Sequence, residues 1–191
     1  MTSILPFDEL NALEADITAQ FKGEQLQQNP KDEEDIIDEL LDLFLLAYAQ
    51  ANEVTNANLS SNWQPELDDV MKTVDEKVAG KTWKERVKDY FANGGTGADI
   101  VRIAETEMHR IANTAALETA RRGGATSKTW ATMLDDKVRE THDYLEGVTV
   151  GIDDDFITFD GDRASAPGLF SLAENNVNCR CELIFSLGGE K

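Results

Sequence analysis

The fold of this chain is decided by the stretch ADIVRIAETEMHRIANTAALETARRGGATSKTWATM, residues 98–133, in which one periodicity gives way to another. Its first part repeats apolar side chains at helical spacing and predicts a long amphipathic helix that ends at Arg122. The Gly123-Gly124 pair is typical of a helix end. Thr129–Met133 then has the composition of a strand. The stretch therefore predicts a long helix that leads into a sheet.

Downstream of this stretch the sequence predicts short strands separated by turns. We expect a helical turn at about 135–145 and strands at 148–152, 156–159 and 181–185. In the last strand, alternation places Cys179, Cys181, Leu183 and Phe185 on one face and Arg180, Glu182 and Ile184 on the other. These elements predict a small antiparallel domain that packs on the long helix.

Upstream of residue 96 the sequence predicts helices. Asn29-Pro30 followed by acidic residues is a helix start, and the apolar positions that follow predict a helix at about 30–56. Further helices are expected at 7–21, at 65–80 and at 82–92, the last beginning with the capping box of Thr82 and Glu85. The fold class is therefore α+β: an acidic helical extension over residues 1–95, then an α+β domain over 96–191.

The charge of the chain disfavours nucleic acid as a general partner. The net charge is −19, and the first 80 residues carry 18 acidic and 4 basic side chains. A surface of this sign repels phosphate backbones. Basic clusters at 81–88 and at Arg121-Arg122 are candidates for a contact with DNA or an acidic partner, although solvated helix faces are the more common meaning of such clusters.

Neither a membrane nor an oxidising compartment is expected. The longest apolar run, Leu43–Ala49, is far shorter than the roughly 20 residues that span a bilayer. Residues 1–8 lack the basic start of a signal peptide. The two cysteines lie two positions apart, which on a strand separates their alpha carbons by about 7 Å, at or beyond the usual limit for a disulfide. We therefore expect synthesis in a reducing cytosol.

Zinc is the most specific chemical hypothesis that the residues allow. Cys179 and Cys181 would supply two thiolates from one strand face, His142 a third ligand, and His109 or Asp143 the fourth. The alternative is that both cysteines are small buried apolar groups. No cofactor is the main expectation, with zinc as the alternative.

The remaining polar residues predict structural contacts rather than catalysis. Glu107 lies near the apolar stripe of the long helix and is expected to pair with Arg139 or His142; a catalytic carboxylate is the less favoured interpretation. Arg139 and His142 share a face, which suits anchoring: the guanidinium can bridge backbone carbonyls or carboxylates while the imidazole forms a hydrogen bond with a loop. Residues 153–155, three aspartates, predict a charged turn rather than a calcium loop. No catalytic residue is predicted.

An ordered set of residues in the last third of the chain carries a resemblance to a known family. The set is Trp130, Asp136, Arg139, His142, Gly147, Pro167, Asn178, Cys179, Arg180 and Cys181, preceded on the long helix by Glu107. Together these residues resemble the C-terminal domain of the phage Mu protein F-like, head-morphogenesis family of tailed bacteriophages. The resemblance covers about 100–185. It departs from the family at Glu105, where the family's Arg-Thr-Glu run has arginine.

The resemblance implies a structural minor head protein rather than an enzyme. Such a protein would lie in the capsid interior of the virion, after assembly in the host cytoplasm, and dock on the portal or other capsid proteins. A homo-oligomer is possible, and the apolar stripe at about 36–54 is a candidate docking surface for partner helices. The alternatives are a small zinc-assisted hydrolase and an acidic DNA mimic or regulator.

Overall fold

A computed structural model describes residues 33–95 and 97–188 of the chain. Its helices are α1 (Glu33–Leu59), α2 (Leu67–Val74), α3 (Trp83–Asn93), α4 (Gly97–Arg122) and the single turn α5 (Glu140–Asp143); its strands are β1 (Ala125–Ala131), β2 (Thr149–Gly151), β3 (Phe156–Ile157), β4 (Arg163–Ala164) and β5 (Glu182–Leu187). The α+β class is confirmed. The helix predicted at 7–21 and the start at Asn29-Pro30 lie outside the described residues.

The helical layer is built around α4. Leu40, Phe44 and Tyr48 on α1 are buried with Met108 and other apolar residues of α4 in one hydrophobic core. The Phe44 ring meets the Trp83 ring of α3 edge-on, with centroids 5.0 Å apart. The apolar stripe at 36–54, predicted to dock partner helices, is therefore buried within the chain itself. That docking prediction is wrong, because α4 already covers the stripe.

The sheet follows α4 directly. Gly124, at φ +86°, ends the helix, and β1 begins at the next residue. The strand order is β2-β1-β5, antiparallel throughout, with Trp130 opposite Leu183. β3 and β4 form a separate two-stranded sheet. The strand predicted at 129–133 thus starts four residues earlier than expected, because the Gly-Gly turn needs no linker.

Several predicted elements are shorter in the structure than in the sequence pattern. The helix expected at 65–80 ends at Val74, and Val78 forms an isolated bridge with Lys81. The helical turn expected at 135–145 contains only 140–143. β5 begins at Glu182, so Cys179 and Cys181 precede the strand instead of forming its first positions. Both cysteines are buried, as are Leu183 and Phe185, but Glu182 is buried as well, against the predicted alternation.

One core spans the predicted boundary between residues 95 and 96. Phe44 and Trp83 precede that boundary and Ile111 and Trp130 follow it, yet all four belong to the same buried cluster. The division into two domains stays a prediction. Within the described residues, no helix has the length and apolarity needed to cross a membrane.

The basic clusters of the sequence are mostly paired with acids of the same chain. Lys81 pairs with Asp89, and Lys84 lies 2.8 Å from a carboxylate oxygen of Asp75. Arg121 donates to Asp153 at 2.7 Å, so this aspartate run serves as a charged turn facing α4. These contacts favour the solvated-face interpretation of the basic clusters over a contact with DNA.

β1 carries a lysine into the core. Lys128 is 0% exposed, and its Nζ lies 5.6 Å from the centroid of the Phe156 ring. Burial lowers the pKa of Lys128 to about 8, and Arg121 adds repulsion, while Asp155 and its neighbours act in the opposite direction. Burial of the charged form of Lys128 therefore lowers the stability of the folded state.

Replacing Lys128 by methionine is expected to raise the free energy of unfolding by about 1–3 kcal/mol at pH 7. The folded chain loses the Lys128 proton near pH 8 and the unfolded chain near 10.5. Between these values the unfolded state holds more protons, so the wild type gains stability as the pH rises. The advantage of Lys128→Met should therefore shrink across that window in urea unfolding. The exposed control Lys137→Met should shift stability by less than about 0.5 kcal/mol. This account would be contradicted if Lys128→Met had a lower free energy of unfolding than the wild type, by the same amount at every pH.

Candidate functional site

Arg139 fastens the turn α5 to the segment that precedes β5. Its guanidinium donates to the backbone carbonyl of Glu174 and, at 2.6 Å, to that of Val177. Thr141 of the same turn lies 3.0 Å from the amide oxygen of Asn175. Bridging of carbonyls by Arg139, expected from the sequence, is what the structure shows. These bonds set the position of α5 relative to the cysteine segment.

His142, Cys179 and Cys181 meet between α5 and the start of β5. The Nδ1 atom of His142 lies 3.4 Å from the Cys181 sulfur and 3.6 Å from the Cys179 sulfur. The three side chains are buried, with exposures of 2%, 4% and 4%. Within the described residues these three form the one group of potential metal ligands, and their atoms lie within 4.8 Å of one another.

An aromatic wall closes the inner side of this cluster. The Trp130 ring meets His142 edge-on at 5.3 Å between centroids, and the Phe170 ring stacks on His142 at 5.5 Å. The Phe156 ring meets the Trp130 ring edge-on, with centroids 5.1 Å apart. Trp130 itself is 0% exposed. The imidazole is therefore held in one orientation by rings on two sides.

The two thiols have opposite acidities. The neighbouring Cys181 side chain, with help from His142, holds the pKa of Cys179 well below its usual range despite burial. The pKa of Cys181 is raised, because it shares its proton with Cys179 and is buried. Cys179 is thus the thiol that ionises first.

The fourth zinc ligand predicted from the sequence is wrong. Neither His109 nor Asp143 belongs to the cluster of ligand atoms that lie within 4.8 Å of one another. Asp143 is exposed at the end of α5, whereas His109 is buried on α4. Asp143 follows His142 directly in the sequence but does not face the two cysteines, because consecutive residues of a helical turn point to different sides.

Glu107 is in a different network from the one predicted. Its carboxylate accepts from the Arg110 Nε at 2.7 Å and from Arg86 at 2.5 Å, not from Arg139 or His142. Arg110 also donates to the carbonyls of Thr73 and Val74, the last residues of α2, at 2.9 and 3.1 Å. The prediction failed because it overlooked Arg110, three residues further along α4, and because Arg86 comes from α3, which only tertiary packing brings to this face of α4.

The motif residue Asp136 is exposed, and the carboxylate that accepts from Arg180, at 2.8 Å, is that of its neighbour Asp135. The Arg180 hydrogen bond lowers the pKa of Asp135. Gly147, at φ +71°, donates to the Trp130 carbonyl at 2.9 Å and so ties the turn to β1.

The other motif residues shape the loop over α4. Pro167 is buried. Gly168, at φ +88°, lies so close to Arg110 of α4 that an added Cβ would be 2.8 Å from the Arg110 Cβ. Asn178 also has a left-handed backbone conformation, at φ 56°, and its backbone amide donates a hydrogen bond to the Thr106 hydroxyl at 3.3 Å. This loop thus places the cysteines beside α4.

Asp162 was not predicted, yet it organises the loop before the cysteines. Its carboxylate accepts from the backbone amides of Ser171 and Leu172 and from the Asn175 side chain, at 3.0 to 3.1 Å. Burial alone would raise the pKa of Asp162, but these hydrogen bonds outweigh it and lower the pKa. The sequence offered one indication of this role, an acidic residue next to Gly161, and that pattern is typical of any turn.

Comparison with known proteins assigns the chain to a family. The phage Mu protein F-like family model matches residues 51–184, more than half of the chain. The matched range contains the cluster of His142, Cys179 and Cys181 and the long helix beneath it. The chain therefore belongs to the phage Mu protein F-like family, as the resemblance indicated.

Two curated proteins are similar to the chain over part of their length. Minor head protein GP7 of Bacillus phage SPP1 is 34% identical over 90 residues, which is 46% of this chain and 29% of GP7. The NAD(+)–arginine ADP-ribosyltransferase EFV of Enterococcus faecalis is 36% identical over 93 residues, 47% of this chain but 19% of that protein. The matches thus span less than a third of either relative. No solved structure matches the chain significantly.

Proposed function

We propose that the chain is a structural minor head protein that docks at the portal inside the capsid and assists head assembly or DNA delivery. The similarity to a phage minor head protein at 34% identity is the observation that carries this proposal. The acidic surface is consistent with it, because a net charge of −19 disfavours adhesion to packaged DNA. The virion interior is thus its proposed location, after assembly in the host cytoplasm.

A structural role fits the matches better than an enzymatic one. The transferase similarity covers 19% of that protein, so it supports a shared module and not a shared activity. The buried ion network of Glu107 joins helices, and Arg139 joins a turn to a loop. Polar groups used in this way stabilise a scaffold, and we assign none of them to catalysis.

An exposed aromatic pair is the surface that we propose for docking. Tyr144 and Phe159 are 59% and 58% exposed, and their rings meet edge-on at 6.0 Å. Ile157 beside them is 41% exposed. Aromatic side chains at the centre of an interface contribute most of its binding energy. A portal or other capsid protein with an apolar pocket would cover this pair.

Mass spectrometry of precursor and mature heads tests the role, and a double variant tests the surface. Tyr144→Ser with Phe159→Ser should reduce incorporation into heads by about tenfold or more, since losing two aromatic anchors costs at least about 1.4 kcal/mol. The matched control is Leu67→Ser, an exposed residue on α2, which should incorporate normally. Absence of the wild-type chain from heads would refute the role; normal incorporation of the double variant would refute the surface alone.

A further inference from the structure

The separations between His142 and the two cysteines match those of a metal centre. A tetrahedral zinc ion has Zn–S bonds of about 2.3 Å and Zn–N bonds of about 2.0–2.1 Å, which places nitrogen and sulfur about 3.6 Å apart. The observed separations are 3.4 and 3.6 Å. We propose that His142, Cys179 and Cys181 bind a zinc ion through Nδ1 and the two sulfurs.

The two sulfurs converge on one imidazole nitrogen, as the ligands of a metal ion would. Both approach the same Nδ1 atom of His142. A metal ion between the three atoms accepts an electron pair from each of them, so all three are satisfied at once. Two thiolates and an imidazole are also the ligand types that favour zinc.

The charge balance suits a buried site. Zinc with two thiolates and a neutral imidazole has no net charge, so burying the centre does not leave an unpaired ion. The Nε2 atom of His142 is buried and has no hydrogen-bond partner among the described residues. The His142 ring packs against the rings of Trp130 and Phe170, which hold the imidazole in place.

The fourth coordination position is open to a small cleft. All three ligands line this cleft together with Arg139, Asn178 and Arg180, among others, and it has room for a single water molecule. A water molecule in this cleft is therefore the proposed fourth ligand. Three protein ligands and one water leave the ion exchangeable, in contrast to a closed site of four side chains.

The two histidines of the chain provide a matched test. Metal analysis of the full chain, purified without a histidine tag or chelator, should find one zinc ion per chain. His142→Gln should lower the zinc affinity at least about 100-fold, because losing a ligand costs more than losing a partner that orients a ligand. His109→Gln removes the other buried histidine and should leave zinc content unchanged. Zinc retained equally by both variants would overturn this ligand set.

Cobalt substitution of the wild type keeps the proposal testable if His142→Gln does not fold. Cobalt(II) bound at this site should show a thiolate-to-cobalt charge-transfer band and the intense visible bands of tetrahedral coordination. Double replacement of Cys179 and Cys181 by serine should abolish the charge-transfer band. A wild-type chain that purifies without stoichiometric zinc and gives no such band with cobalt would overturn the proposal, as would stoichiometric binding of a different metal.

Discussion

Replacing Arg110 by methionine is expected to lower the free energy of unfolding by about 3–5 kcal/mol. The guanidinium is 1% exposed, pairs with the buried Glu107 carboxylate at 2.7 Å, and caps the last carbonyls of α2. Methionine fills similar space but removes the side-chain donor of the Val74 carbonyl and leaves Thr73 with only the long bond from the Glu76 amide, at 3.4 Å. It also leaves Glu107 with one cation, Arg86, instead of two. Chemical denaturation followed by circular dichroism measures the loss.

The same helix offers a matched control for burial. Arg102 forms an ion pair with Asp99 at the same i, i+3 spacing and the same 2.7 Å, but its side chain is 52% exposed. Arg102→Met should therefore cost less than about 1 kcal/mol. Similar losses for the two variants would show that burial does not determine the contribution of Arg110. Glu107→Gln together with Arg110→Met should recover part of the loss, because it removes the unbalanced buried charge.

Replacing Trp130 by alanine is expected to cost about 3–5 kcal/mol. The indole is fully buried and contacts the rings of His142, Phe156 and Phe170, so its removal opens a cavity at the centre of the module. The rings around that cavity belong to separate segments and cannot all collapse into it. A drop in the thermal midpoint, with loss of the near-ultraviolet signal of the packed aromatic rings, would report this effect.

Trp63→Ala is the control for the chemical change itself. Trp63 is half-buried, and its ring contacts Arg122 at 5.9 Å. Its hydrogen bonds with Asn52 and Asn56 use backbone atoms, which alanine retains. The loss should be well under half of that at Trp130. An equal loss at both positions would contradict the central role of Trp130.

The local elements of this chain were readable from sequence because their signals are local. The capping box of Thr82 and Glu85 forms as expected, with both reciprocal hydrogen bonds present. The helix that ends at Arg122 and the strand that follows were predictable from periodicity and the Gly-Gly pair. The shared burial of Cys179 and Cys181 was expected too, although both residues precede β5, so strand alternation is not its cause.

Side-chain partners were not predictable where they lie far apart along the chain. Glu107 pairs with Arg86, 21 residues away, rather than with the expected Arg139 or His142. The Asp135–Arg180 hydrogen bond, across 45 residues, was not predicted. No periodicity encodes either contact.

The sequence by itself determined the element types and the family motif and named the candidate metal ligands His142, Cys179 and Cys181, because each depends on residue type and short spacing. Only the tertiary structure decided that the stripe of α1 is core, that Arg110 caps α2, and that the His142 nitrogen lies 3.4 and 3.6 Å from the two sulfurs. The physical reason is that burial and long-range hydrogen bonds depend on which faces meet. That choice is made by packing the whole chain at once.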